Sequence, residues 1–238
     1  MQIVQSTKVS ESMKHKEIIK QMQADGKRFW AGDNVSEYID DNNKQVLIDN
    51  AAKAFEDVLD SLLIDRHNDP NSKGTAKRLA KMYFNEIMAG RYDPQPEVTA
   101  FPNDNDADRY TGMLVTRAEI KSMCSHHHQP VKGVAYIGLI PGTKVIGLSK
   151  YARIAQWCAR RGTLQEELCR QIAEKIIEET GAEDVGVYIQ ATHGCMENRG
   201  VEAHSSLTQT AVLRGQFYND SIKKEFYDNI REQQRHSC

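Results

Sequence analysis

Apolar residues recur at intervals of three and four from Gln45 onward, at Ile48, Ala51, Ala52, Phe55, Val58, Leu59, Leu62 and Leu63. That spacing lines one face of an amphipathic helix, which stops near Asp69-Pro70. A second stripe, Leu79, Met82, Tyr83, Ile87 and Met88, predicts a helix over residues 75–89, with Arg78 near its start and Gly90 as its stop. Residues 92–108, rich in Pro, Asp and Asn, form a connecting loop. The period then falls to two. Residues 113–123 and 131–140 read as strands, and Pro141-Gly142 turns the chain into a short third over 144–148. Helical spacing returns behind Ser149, a candidate N-cap, at Ala152, Ile154, Ala155 and Trp157. It continues over residues 164–179 with Leu168, Ile172, Ile176 and Ile177, ended by Gly181. Strands over 185–192 and 207–217 and a charged helix over 221–235 complete the pattern. Before Gln45 the apolar patches, such as Ile18-Ile19 and Phe29-Trp30, stand apart, which predicts a partly helical arm of low order over residues 1–43.

This order of elements implies an α+β fold, an antiparallel sheet with helices packed on one face and preceded by N-terminal helices. Three regions follow: the arm over 1–43, a helical region and linker over 44–108, and a sheet-bearing domain over 109–238. No glycine-rich phosphate fingerprint follows any strand, so neither a dinucleotide fold nor a P-loop is indicated. With 39% hydrophobic and 27% charged residues and a net charge of -2, the chain is globular. It carries no global field for nucleic acid, so any anion must be met by local Arg and Lys. No signal-peptide pattern and no membrane-length apolar run occurs, which places the protein in the cytoplasm, away from membranes. Five scattered cysteines argue for a reducing compartment rather than a disulfide framework.

Free thiols are then available as metal ligands. The stretch Cys124-Ser125-His126-His127-His128 gathers a thiolate and several imidazoles, and His193-Gly194-Cys195 forms a second cluster far downstream. If the fold joins them, Cys124, His127 and Cys195 supply two sulfurs and a nitrogen, with a fourth tetrahedral position left for water. On these clusters alone, a histidine-rich surface loop and an unrelated buried cysteine explain the pattern equally well. Cys158 and Cys169 occupy apolar helix positions and read as core. Lys150, Arg153 and Arg199, taken alone, read as solvated charge.

Five ordered blocks change that balance. They are residues 75–83 (TAKRLAKMY), 122–127 (SMCSHH), 145–154 (VIGLSKYARI), Gln165-Glu166 and 193–200 (HGCMENRG). Together they resemble the GTP cyclohydrolase I family, the zinc enzymes that open the guanine imidazole ring at the start of pterin and tetrahydrofolate synthesis. The resemblance spans the chain from about Gln45 to the C-terminal helix. It implies a tunnelling fold (T-fold) for residues 109–238, a toroidal homodecamer with sites between subunits, and Zn2+ as cofactor. By motif, Cys124, His127 and Cys195 would hold zinc, and His126 and His193 would move protons. Ser149 would assist at the ribose. Lys150, Arg153 and Arg199 would meet the triphosphate of GTP, joined by Arg78 from a neighbouring subunit. Glu166 would accept from the guanine edge, with Gln165 beside it. His128 lies outside the motif and reads as a loop residue.

The chain also departs from the pattern. Ser125 stands where family members carry Glu after the first zinc cysteine, residues 128–131 differ from the usual apolar run, and Ala76 replaces a proline. Two other readings therefore stay open: a related enzyme acting on another purine nucleotide, and a non-catalytic zinc protein in which His193 closes the coordination sphere.

Overall fold

The computed structural model describes residues 14–105, 107 and 109–236; residues 1–13 of the expected arm and Cys238 lie outside the described residues. The chain divides into two compact units between Pro94 and Gln95.

In the first unit, helix α1 (Lys14–Ala24) buries Ile18 and Met22 beside Val35, with Phe29, Tyr38, Ile39, Leu47 and Tyr92 packed around them. Patches too far apart in sequence to mark one helix are thus collected by the turns between them. Helix α2 (Asp41–Ser61) starts earlier than its apolar stripe because the Asp40 carboxylate caps it, accepting from Asn43 N at 2.6 Å. Helix α3 (Thr75–Met82) runs into a π turn over Tyr83–Ile87 and a last short helix, α4 (Ala89–Tyr92). Gly90 lies inside α4 rather than ending the helix; the chain leaves helical geometry at Asp93, the residue before Pro94.

The second unit is built on a four-stranded antiparallel sheet in the order β2-β3-β5-β6. Its strands are β2 (Leu114–Met123), β3 (Pro130–Ile140), β5 (Asp184–His193) and β6 (Thr208–Leu213). A separate two-stranded ribbon pairs β1 (Ala100–Pro102) with β4 (Lys144–Ile146). The proline-rich connection thus contains a strand that its composition hides. Helices α5 (Leu148–Ala159) and α6 (Gln165–Thr180) bury Tyr151, Ile154, Ala155, Leu168, Ile172 and Ile176 against Ala135, Ile137, Leu139, Val187 and Ile189. Gly181, with φ of 66°, ends α6 as its position predicts.

Helices cover both faces of this sheet, which corrects the expectation of one. Residues of β3 that alternate with the first set, Val134, Tyr136 and Ile140, are apolar too and need their own cover. Phe217, from a 3-10 turn over Gly215–Tyr218, and Phe226 and Ile230, from helix α8 (Asp220–Arg235), provide it. Strand β6 ends at Leu213, before the expected 217. There Gly215 adopts φ of 57°, and the Asp184 carboxylate accepts from Gln216 N at 2.8 Å. The edge-to-face pair Phe217 and Phe226, with ring centroids 5.2 Å apart, sits over two glycines. A Cβ at Gly138 would lie 2.7 Å from Phe226 Cδ2, and one at Gly186 would lie 2.6 Å from Phe217 Cδ1.

Gly138→Ala is therefore expected to lower stability by about 1–3 kcal/mol through overpacking. Thermal unfolding followed by circular dichroism measures it, and a melting temperature equal to the wild type would show that the aromatic pair yields without cost.

Candidate metal and catalytic centre

The two chemical clusters meet because of strand register. Strand β2 runs into Cys124, and β3 returns from Pro130, paired with Met123, so residues 124–129 form the hairpin loop. The loop is closed by its own backbone, with Cys124 N donating to Gln129 O and His128 N to Cys124 O, each at 2.9 Å. His128 takes φ of 51°, a left-handed conformation that turns the chain back toward β3. Strand β5 lies antiparallel to β3 with Val131 opposite His193. This carries the downstream cluster to the hairpin. A single turn of helix, α7 (Gly194–Glu197), then sets Cys195 beyond the strand end. Gly194 eases the close approach, since a Cβ there would stand 3.2 Å from Pro130 O, a tight contact.

Candidate ligand atoms of Cys124, His127 and Cys195 lie within 4.8 Å of one another. Zinc bonds of about 2.0–2.3 Å in a tetrahedron place neighbouring ligands somewhat under 4 Å apart, so this donor set fits one shared ion after small adjustments. Cys124 is buried, Cys195 half-buried and His127 exposed. Burial, a hydrogen bond with Cys124 and the nearby Cys124 charge push the Cys195 thiol up, against the opposing pull of Arg199. The Cys195 thiol therefore holds a proton that a divalent cation would displace. Cys158 and Cys169 are different: burial pushes them up to about 11 and about 12, and both lie in the core between α5, α6 and the sheet.

His193 is not one of the clustered donors. Its Nε2 lies 2.7 Å from Gln165 Oε1. Burial holds its pKa below the ordinary histidine value, against the charges of Glu166 and Glu197, so the ring is neutral near pH 7. His126 is exposed on the hairpin loop, its ring centroid 6.2 Å from that of His127 at an angle of 78°. Glu166, exposed in the first turn of α6, is near enough for its charge to act on His193. Glu197 is a neighbour that sequence reasoning missed. Arg199 is exposed beyond α7, within electrostatic reach of Cys195.

Ser149 does not cap α5. The N-cap is Gly147, without a side-chain bond, and Ser149 is exposed in the first turn, free for other work. Lys150 Nζ donates to Glu97 O at 2.8 Å, and Arg153 is exposed one turn further along α5. Arg78 belongs to the first unit, where its guanidinium donates to Lys73 O, Asn71 O and Thr75 Oγ1. Gln165 is 4% exposed, and its amide nitrogen contacts Ile189 O, Thr208 O and Thr210 Oγ1. A sequence signal for this burial exists: Gln165 falls on the apolar stripe that continues at Leu168, Cys169 and Ile172.

Comparison with known proteins adds a family to this geometry. A family model described as GTP cyclohydrolase I matches residues 51–231. A protein of Flavobacterium johnsoniae named GTP cyclohydrolase 1 is 37% identical over 186 residues, covering 77% of this chain and 82% of the relative. The protein of that name from Pseudoalteromonas translucida is 41% identical over 170 residues, covering 68% and 90%. Among solved structures, the apo form of the archaeosine synthase QueF-Like overlaps with a TM-score of 0.35 at 18% identity, covering 44% of this chain and 92% of that one.

The protein is expected to take up one Zn2+ per chain, releasing protons on binding. Because the Cys195 thiol is pushed up, affinity should fall as pH falls, with both effects read by titration calorimetry in buffers of differing ionisation enthalpy. Cys195→Ser should weaken binding by more than the ~10–100-fold that loss of a supporting contact costs, while Cys158→Ser leaves it unchanged. Equal zinc affinity in both variants would show that the three donors do not share an ion.

Proposed function

The chain belongs to the GTP cyclohydrolase I family, and from that premise we propose that it hydrolyses GTP to 7,8-dihydroneopterin triphosphate and formate at a zinc centre held by Cys124, His127 and Cys195. The observation that carries this reading is the convergence of those three donors from two distant segments. Zinc bound there supplies a Lewis acid that makes water a nucleophile near neutral pH, as the weakly electrophilic carbon 8 of guanine demands.

The chain's own groups do the remaining work. Glu166 is acceptor-only as a carboxylate, which suits the N1-H and exocyclic amine of guanine, two donors side by side. His126 and His193 carry protons, to the ring nitrogen beside carbon 8 as its bond to that carbon opens and from the attacking water. Neutral His193 begins as the base. Lys150, Arg153 and Arg199 spread positive charge over the triphosphate, and Arg78 joins them from another subunit. Ser149, whose hydroxyl is not used as a helix cap, assists proton transfer as the ribose rearranges and closes on the freed amine.

In this reading residues 109–238 form a T-fold subunit and the assembly is a cytoplasmic toroidal homodecamer. Among the described residues no helix is long and apolar enough to cross a membrane. A closed structural zinc site is disfavoured, because His193 lies outside the group of clustered donor atoms.

Zinc-loaded protein is expected to release one formate per GTP consumed. His193→Ala should lower kcat by about 10²–10⁴-fold with zinc content unchanged. Protein that binds zinc and GTP but releases no formate would overturn the proposal.

A further inference from the structure

Gln165 is a polar side chain at a core position, and every hydrogen-bonding direction recorded for it is occupied by the sheet or by His193. Its Nε2 faces two backbone carbonyls, Ile189 O at 3.3 Å and Thr208 O at 3.1 Å, together with Thr210 Oγ1 at 3.1 Å. Carbonyl oxygens only accept, so the amide nitrogen, and not the amide oxygen, must point at them. That choice settles the other end of the amide. Oε1 is turned to His193 Nε2 at 2.7 Å and can only accept, so Nε2 carries the proton.

From this chain of donors and acceptors we propose that Gln165 is a positioning residue, which fixes His193 as the Nε2-H tautomer and leaves Nδ1 as the ring's one site of proton exchange. It rests on the reading of His193 as a proton carrier. In a neutral imidazole one nitrogen donates and the other accepts, and a ring free to choose would spend part of its time in the unproductive form. Here the choice is made by the backbone of β5 and β6, relayed through one buried amide. Gln165 thereby differs from its neighbour Glu166, which is exposed and able to meet substrate. The recorded contacts of Gln165 are spent inside the protein.

Two measurements on the full-length, zinc-loaded protein test this. In 15N-histidine NMR spectra, with the His193 signals assigned by their loss in His193→Gln, the expected pattern is a protonated Nε2 and an unprotonated Nδ1; the reverse tautomer overturns the proposal. This readout needs no turnover, so it separates failure of the inference from failure of the proposed reaction, which formate release by the unaltered protein reports. In the second, Gln165→Met keeps the side-chain volume and removes the amide. It should lower kcat about 10–100-fold with KM for GTP within about threefold and zinc content intact. A raised KM with unchanged kcat would make Gln165 a substrate contact and overturn the assignment. Should Gln165→Met fail to fold, the tautomer of the unaltered protein decides alone.

Discussion

The pairing of β3 with β5 is the constraint on which the centre depends. With Val131 opposite His193, the end of β5 lies beside the hairpin that carries Cys124 and His127. A slip of one residue would turn every β5 side chain to the opposite face and carry Cys195 away from its partners. Register is held by burial on both sides: Val187, Ile189 and Ala191 are 0–1% exposed against α5 and α6, while Tyr188 joins the opposite layer. The core therefore fixes chemistry as well as stability. An error in packing would be read out as a lost ligand.

Electrostatics within the centre follow from the same burial. Burial, and then the neighbouring Cys124, raise the Cys195 thiol toward protonation, and His193 is lowered by desolvation although two carboxylates pull it the other way. A cation between the sulfurs would reverse the first effect without requiring the second to change. His193 Nε2 also meets the Gln165 amide, which occupies an apolar position on α6 and contacts the carbonyls of Ile189 and Thr208.

Much of this was legible in the chain. The stripes Leu168, Ile172 and Ile176 on α6 and Ile154 and Ala155 on α5 gave the helices, and all are fully buried. The candidate ligand residues were visible as types and motifs, but their meeting was not, since it is produced by long-range strand pairing that no local pattern encodes. Strand β1 was hidden by its prolines, and the packing of the partly helical arm by the wide spacing of Ile18, Phe29 and Val35. Ser149 looked like a cap, yet the chain enters α5 at Gly147, which caps it without a side-chain bond. The second covered face of the sheet was written in the later half of β3, where Val134, Tyr136 and Ile140 alternate with Ala135, Ile137 and Leu139.

Of the three donors, two are anchored by strand and helix ends, while His127 alone is exposed, on a loop closed by two backbone hydrogen bonds. The grip on an ion is thus uneven. Exchange of a bound ion with solvent would proceed by the imidazole swinging away first, with the two sulfurs as the lasting hold, so the lifetime of a loaded state would depend on how stiffly a short hairpin tip is kept in place.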